Sequence, residues 1–563
     1  MSFFDDASLA FLPSSGAGKD GKAYSIKPTT GAGDFTFSRG SNLSATRVGP
    51  TGLIEKGRGN LLLQSNQFDT TWTTTSSITL TSGQSGYDGS SDAWLLERTS
   101  TGGQRVAQTI SNSGVQTYSV YAKANVGDWL YMRCNTSGSP VEAYFDLANG
   151  VLGAYGSTTR IDAKIQAVGN GWYRCSMSFN STIVEARLYP VDGNGSVVGT
   201  NESIYIQDAQ LEQGLVATEY IESGASEGKA GILEDSPRFD YSGGASCPSL
   251  LLEPSRTNLL EYSEYFEGSG WTIQSGVTLT TNTTETLSPE GLYNATKAVG
   301  DGTNGIFNNA SSSGSHARSV YLKSVSGTIN IRISDPYAGG LAQIKSVTTE
   351  WQRFDMIGDT GGSNCGIFID DIPSSGVYIW GAQLEEGSYS TSYIPNHSGG
   401  SVTREADVCE GAGTSSTFND SEGVLYAEIE ALGNENTQRW LSISDGSNNN
   451  TIQLGFLNSA NNYKIAGTIR LGGSFQAFLA YDLGAVAPTF KKCAIKYKRN
   501  DFALWVDGVE VATDTSGSAF PLNTLNSLSF TRGDSVQPLQ GNVKQVLTFN
   551  TALSDAELTA LTS

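Results

Sequence analysis

The chain has 563 residues, with 35 Lys and Arg against 56 Asp and Glu and a formal net charge of −21, a balance that argues against a phosphate-backbone partner, which clustered basic residues would have to hold. The length exceeds what one core sustains, about 250–300 residues, so three or four domains are expected. Glycine is abundant at 66 residues, and the short apolar runs broken by Gly, Ser, Thr, Asn and Asp set the rhythm of strands and turns.

The N-terminus, MSFFDDASLAFLPSS, carries Asp5 and Asp6 where a signal peptide needs positive charge, and no run approaches about 18 uninterrupted apolar residues. Synthesis and release in the cytoplasm without Sec export is the expectation. Through residue 52 the chain is Gly-rich, with Phe35 and Phe37 alternating in a short strand-like run. A segment this short cannot bury enough surface to stand alone. It is expected to dock on a neighbouring subunit or another component, the alternative being a flexible leader. Its GAGKDGK run lacks the G-x-x-x-x-G-K-[ST] spacing of a P-loop.

The next stretch, LIEKGRGNLLLQSNQFDTTW from Leu53 to Trp72, returns as LLEPSRTNLLEYSEYFEGSGW from Leu251 to Trp271. From Leu53 to Phe68 the copies align without a gap at an offset of 198 (251 minus 53), pairing Glu55 with Glu253, Arg58 with Arg256 and Asn60 with Asn258. This is an internal duplication. Between the copies, SVYAK, DWLYMRC, GWYRCSMSF and IYIQDAQLE alternate with a period of two, as half-buried strands do. The second copy repeats the landmarks in order, and AQLEEGSYSTSYI (Ala382 to Ile394) repeats AQLEQGLVATEYI (Ala209 to Ile221) without a gap. Two β-sandwiches with unequal surface loops follow from this.

Past about Ser401 the pattern changes. VLYAEIEAL, RWLSISDG, TIQLGFL, KKCAIKYKRNDFALWVDGVEVATD and LSFTRG predict five or more strands, with a turn at Lys498–Asp501 and a tight hairpin turn at Asp507–Gly508. Ser554, with Glu557 three residues on, forms a capping box for one short closing helix that carries Leu558 and Leu561 on one face.

Three stretches together resemble bacteriophage virion appendage proteins of the tail-fibre or head-fibre type: FTFSRGSNLSATRVGPTGLIE, PRFDYSGGASCPSLLLEPSRTNLLEYSEYF, and the AQLE-x-G closers followed by TSYIP and SVTREADV. The resemblance implies an all-β chain: tandem jelly-roll sandwiches followed by a concanavalin A-like sandwich, with very little helix. It places an N-terminal attachment segment at 1–59 and a first jelly-roll carbohydrate-binding-like module at 60–222. A connector at 223–257, a second such module at 258–397 and a concanavalin A-like (laminin-G-like) domain at 398–563 complete the chain. Implied partners are other virion proteins through the N-terminal segment, host-surface glycans, and further copies of the chain in a homo-oligomer, with a trimer favoured by analogy. The implied location is the virion, assembled in the host cytoplasm and extracellular after lysis. Jelly-roll modules of this type often carry an acidic pair before their last Leu as structural calcium ligands. That place reads Gln207–Asp208–Ala209 in the first copy and Trp380–Gly381–Ala382 in the second, so Asp208 is the candidate metal ligand.

Chemistry has little material. Glycoside hydrolysis needs two carboxylates about 5–9.5 Å apart across a cleft, and the E-x-D-x-x-E run of concanavalin-like glycosidases is missing: YAEIEALG supplies Glu428 and Glu430 without the rest. Asp370–Asp371 is the one conspicuous acidic pair, and neighbours on a strand point to opposite faces. Two histidines, His316 and His397, give a Ser-His-Asp arrangement little to use. The six cysteines stand singly, without a C-x-x-C pair, so zinc is not expected and the thiols are read as small buried hydrophobes, with one or two disulfides as the alternative. Binding fits better, since 24 Tyr and 9 Trp supply aromatic faces. Trp129 and Tyr131 share one face of a strand, which is a sugar platform if it lies on the concave side and ordinary packing otherwise. Trp172, Trp351 and Trp505 are read as core, and Glu55, Arg58, Glu253 and Arg256 as structural ion pairs or caps. The leading expectation is a non-enzymatic tail fibre or spike subunit adhering to host-surface glycans. A capsid-decorating or head-fibre protein with an architectural role and a polysaccharide depolymerase are the alternatives.

Overall fold

A computed structural model describes residues 3–14, 18–19, 21–40, 43–156, 160–244, 246–338, 340–359, 361–433, 437–459, 462–485 and 489–563; residues 16, 17 and 20 of the GAGKDGK run lie outside this set. The described chain is all-β apart from short helical turns and one closing helix. No helix in it is long and apolar enough to cross a membrane.

The duplication is visible in the order of the strands. In the first sandwich one sheet runs Val151–Gly156, Val141–Asp146, Trp129–Thr136, Ile183–Val191, Val106–Asn112, Thr73–Thr74. The other runs Arg160–Gly169, Trp172–Asn180, Val115–Ala124, Ser203–Gln213, Ala93–Arg98, Ile78–Gln84. The second sandwich repeats both sheets strand for strand, as Ala342–Val347, Ile329–Ser334, Cys365–Asp370, Ile306–Ala310, Trp271–Ile273 and as Gln352–Asp359, Ser315–Ser324, Val377–Glu386, Thr296–Val299, Thr278–Thr280. It lacks only the outermost strand of each sheet. Strand alternation sends Leu130, Met132, Cys134, Val120 and Met177 into the first core and Ile331, Ile333, Val320, Ile367 and Met356 into the second.

The repeated motifs hold each sandwich shut. Asn60 Nδ2 donates to the carbonyls of Ala209 (3.0 Å) and Ile221 (2.9 Å), while its Oδ1 accepts from the N–H of Leu62 (3.2 Å) and Leu211 (3.1 Å). Asn258 does the same with Ala382 (3.3 Å), Ile394 (3.0 Å), Leu260 (3.2 Å) and Leu384 (3.2 Å). Within the closers, Glu212 accepts from the N–H (2.9 Å) and hydroxyl (2.6 Å) of Thr218, and Glu385 from the N–H (2.7 Å) and hydroxyl (2.6 Å) of Thr391. A buried Asn, Gln or Glu is stable only with its polar atoms paired, which is why the Asn opener and the AQLE-x-G closer recur as a set. Asp208 (φ 54) and Gly381 (φ 61) occupy the same left-handed step before the closer, a conformation open to Gly and tolerated by Asp.

The C-terminal sandwich pairs Thr451–Ser459, Asn462–Leu471, Ser474–Gly484, Arg439–Ser444 and Ser527–Ser529 in one sheet. The opposing sheet contains Gly541–Phe549, Glu422–Ala431, Lys491–Lys498, Phe502–Val506 and Val509–Asp514. The hairpin turn at Asp507 (φ 46) and Gly508 (φ 82) and the Ser554–Glu557 capping box of the Asp555–Thr562 helix are as expected, and Leu558 and Leu561 are buried. Two earlier segments complete this sandwich. Leu9–Phe11 and Ser249–Leu252 share the free edge of Gly541–Phe549, and Arg238–Asp240 extends the sheet further. Phe35–Ser38 pairs with Val408–Glu410, and Phe11 and Phe35 pack on Phe530 with ring centroids 6.3 and 4.9 Å away. The segment expected to seek another component is therefore covered by its own chain, and the connector contributes strands to the last domain. The missing apolar partner of Phe35 and Phe37 is contiguous with the strand edges left open at the C-terminal end.

A buried charge cluster joins these parts. Arg39 Nη1 pairs with Asp407 Oδ1 (3.0 Å), Arg238 Nη1 with Glu253 Oε2 (2.6 Å) and Arg404 Nη1 with Glu253 Oε2 (2.9 Å), and Arg238 Nη2 also reaches Asp407. Burial opposes the charge on Glu253, yet Arg404 and Arg238 hold its carboxyl down at about 2. Glu55 and Arg58, like Glu253 and Arg256, form ion pairs as expected, but not with each other: Glu55 meets Arg47 (2.7 Å) and Arg256 approaches Glu385 (3.8 Å).

Candidate functional site

The strand Trp129–Thr136 carries two kinds of side chain. Leu130, Met132 and Cys134 fill the core, so Trp129, Tyr131, Arg133 and Asn135 stand on the sheet's outer side. Register then builds an array across three strands. Tyr131 lies opposite Tyr144 on one side and Tyr189 on the other, and Arg133 lies opposite Glu142 and Arg187. The Tyr131 and Tyr144 rings stack at 4.2 Å and 8°, and Tyr189 closes on Tyr131 at 4.8 Å and 34°. Trp129, Val191 and Val197 complete a small aromatic cluster separate from the core beneath it.

Trp129 and Tyr131 do share a face, as the alternation predicts. Their accessibility differs. Tyr131 is 4% exposed, walled between two other tyrosines, so its ring supports the surface and offers no free face. Trp129 is half-buried and is the accessible aromatic of the pair. Around them the polar groups are fixed: Tyr131 hydroxyl donates to Glu142 Oε2 (2.5 Å), Asn135 Nδ2 to Glu185 Oε2 (3.1 Å), and Arg187 Nε to Glu185 Oε2 (2.7 Å). Arg133 uses Nε on Asn135 Oδ1 (3.1 Å), and among the described residues its two Nη groups remain unengaged donors. Burial first, then the bond to Glu142, raises the Tyr131 phenol, which stays neutral. The array presents a half-covered indole beside fixed donors and acceptors. The sequence signal for Trp129 and Tyr131 was alternation; Tyr144, Tyr189, Arg133 and Arg187 come from strands that only pairing brings together.

Asp208 is placed otherwise than a calcium ligand would be. Its Oδ2 accepts from the Tyr87 hydroxyl (2.9 Å). Gln207 Nε2 donates to Asp92 Oδ1 (2.8 Å) and Asp88 Oδ1 (3.3 Å), so those carboxylates are already bridged by a side-chain amide. Burial, with help from Asp92 and Asp88, pushes the Asp208 carboxyl up to about 7. The donor set does not fit the calcium expected there, and among the described residues no group of three or more His, Cys, Asp or Glu is arranged to hold a metal. In the second copy the corresponding loop offers Glu290, which receives Lys56 Nζ at 2.9 Å; Lys56 also meets Glu264 Oε1 (3.2 Å). These residues line a cavity of about 300 Å³ between the sandwiches. His397 borders it, held down at about 3 by burial and by the Lys56 charge.

Other candidates resolve as structure. Glu428 approaches Lys544 (3.7 Å) and Glu430 accepts from Asn542 (3.2 Å), while the third acid of their strand, Glu422 at its far end, pairs with Lys498 (2.8 Å). Asp370 and Asp371 were expected to point apart, but Asp371 turns to φ 58 at the strand end and both reach Arg332. Trp172 and Trp505 are buried; Trp351 is half-buried and donates to the Leu287 carbonyl at 2.7 Å. All six cysteines are free thiols, five of them buried and Cys247 exposed.

Residues 427–559 match a family model described as the concanavalin A-like lectin/glucanases superfamily. The C-terminal sandwich is thus concanavalin A-like. No curated protein matches the chain. Among solved structures, the CBM40 of the Ruminococcus gnavus IT-sialidase bound to alpha2,3 sialyllactose is 19% identical, covering 27% of this chain and 93% of that one at a TM-score of 0.23. The CBM22-1–CBM22-2 tandem of Paenibacillus barcinonensis Xyn10C is 9% identical over 62% of this chain and 100% of that one, TM-score 0.21. Domains LG4-5 of the mouse laminin alpha1 chain are 8% identical over 54% and 95%, TM-score 0.19. Likeness at this level decides neither ligand nor reaction.

Proposed function

We propose that this chain is a non-catalytic glycan-binding protein of a phage virion appendage, holding host-surface sugars on the outer face of its first sandwich. The observation that carries the reading is the array around Trp129. The solvent side of a sandwich sheet is ordinarily polar, yet here three packed tyrosines, isolated from the core, brace a half-exposed indole on the face that also carries the Arg133 donors. An apolar face flanked by a few fixed polar groups is the arrangement that orients a sugar ring. The appendage part rests on the stretches quoted above and on the acidic, modular make-up of the chain.

The test is a glycan array probed with the full chain, followed by Trp129→Ala and Arg133→Ala. Each substitution removes at least about tenfold in affinity, about 1.4 kcal/mol, with an unchanged melting temperature. No binding to any glycan by the intact chain rejects the adhesion reading.

A purely architectural role in the virion is the second reading, favoured by the buried Arg39–Arg238–Arg404 cluster, which ties leader, connector and last domain into one body. Imaging of intact particles that places the chain on the capsid, with a silent glycan array, selects it.

A further inference from the structure

We infer that the second sandwich carries a sugar-binding face of its own, a pocket over Phe307 and Phe368, so that one chain grips a polymeric glycan at two points. This rests on the reading of the chain as a glycan binder. The pocket lies on the sheet that corresponds, strand for strand, to the one bearing Trp129 in the first copy.

Its floor follows from alternation. Ile306, Ile367 and Ile369 point into the core, so Phe307 and Phe368 point out, directly opposite each other in register and 5.5 Å apart between ring centroids at 66°. Both are half-buried, and above them is a pocket of about 360 Å³, within the range of small-ligand sites. One wall is Arg332, with its side chain 42% exposed and its guanidinium braced by Asp370 and by Asp371 at 3.8 Å. Gln274 forms part of the rim, fixed by accepting from the Gly305 N–H at 2.9 Å. Beside the pocket Tyr337 is 48% exposed and bonded to Asn309.

The sequence alignment of the two copies does not reveal this face. Phe368 stands on the counterpart of the strand that carries Tyr189, whereas Phe307 stands on the counterpart of Val106–Asn112, which carries no tyrosine, so the sheet order relates the two faces. What persists is the physical pattern: aromatic rings facing outward on the same sheet, with an arginine braced at their edge. The first face has its tyrosine rings walled in and leaves Trp129 accessible, and the second leaves its two phenylalanines half-buried beneath a cavity. An apolar floor with a charged, pre-oriented rim takes a pyranose ring, whose C–H face lies on the aromatics while its hydroxyls meet Arg332 and Gln274. Two such faces on one body raise the apparent affinity for a long polymer above that for a short fragment, with no new contact.

The full chain is titrated with the bacterial polysaccharide that binds best on the array and with its shortest binding oligosaccharide. The expected stoichiometry for the oligosaccharide is two per chain, falling to one in Phe307→Ser/Phe368→Ser and in Ala342→Trp, which fills the pocket mouth from an exposed position without touching the core. Polysaccharide affinity then drops by about 10²-fold or more in either variant. A stoichiometry of one in the intact chain, with both variants unchanged and Trp129→Ala abolishing binding, overturns this inference and leaves the first face standing. Absence of binding to every glycan overturns both.

Discussion

Lys56 Nζ lies 2.9 Å from Glu290 Oε2, although Lys56 belongs to the leader hairpin and Glu290 to the second sandwich. The ammonium also meets Glu264, and Arg58 approaches Glu290 at 3.8 Å, so two cations from the leader face two buried acids of the second copy. Burial disfavours a charged lysine, and the two carboxylates overcome that to raise its pKa. Replacing Lys56 by Met removes the cation and leaves both acids buried. The expected cost is about 3–5 kcal/mol, read from urea unfolding, and a double Lys56→Met/Glu290→Gln variant recovers part of it. Equal stability of Lys56→Met and the intact chain would refute the pairing.

Asn60 and Asn258 make the same four hydrogen bonds, so they should fail alike. Asn60→Ala and Asn258→Ala each strand buried backbone groups, at about 2–4 kcal/mol. Hydrogen exchange locates the damage: the first variant loosens the sandwich closed by Ala209–Ile221, the second the one closed by Ala382–Ile394. Damage spread evenly over both in either variant would contradict two separate locks.

Asp208 supplies a pH dependence. Its folded pKa of about 7 stands above the ordinary carboxyl value of 3.8. Between those values the folded chain holds a proton that the unfolded chain releases, so this group lowers stability as pH rises from about 4 to 7. Asp208→Asn keeps an acceptor for the Tyr87 hydroxyl and suits the positive φ. It is expected to gain about 2 kcal/mol over the intact chain at pH 8 and almost nothing at pH 4. Millimolar calcium is expected to leave the melting temperature unchanged, and a rise of several degrees with calcium, abolished in Asp208→Asn, would restore the metal reading.

Glu253 works with the opposite sign. Its folded value of about 2 lies below the ordinary 4.5, so the stability it contributes is complete above about 4.5 and is lost as pH falls toward 2. Glu253→Gln should flatten the acid limb of the stability profile and weaken the chain at neutral pH by about 3 kcal/mol, because Arg238 and Arg404 stay buried with less compensation.

A piece spanning 398–563 lacks Leu9–Phe11, Phe35–Ser38, Arg238–Asp240 and Ser249–Leu252. Without them the edge of Gly541–Phe549 is unpaired and Phe530 loses Phe11 and Phe35. The piece is expected to aggregate or to unfold without a cooperative transition in circular dichroism. A sharp transition at the full chain's midpoint would show that those strands are dispensable.

By itself the sequence determined what is local or repeated. Alternation set the strands, Asp507–Gly508 the hairpin, Ser554 and Glu557 the helix start, and the offset of 198 between Leu53 and Leu251 the two sister sandwiches, because each depends on neighbours a few residues apart or on a copy that can be aligned. The tertiary structure alone decided which distant partners meet. Tyr131 is screened by Tyr144 and Tyr189, Lys56 sits against Glu290, Phe35 lies against Phe530, and Gln207 bridges Asp88 and Asp92. Those outcomes turn on strand register and on which sheet edge is left open, and neither leaves a periodic trace along the chain. A ring on a strand's outer face is therefore legible from spacing, but whether a sugar can reach it is fixed by the strands on either side.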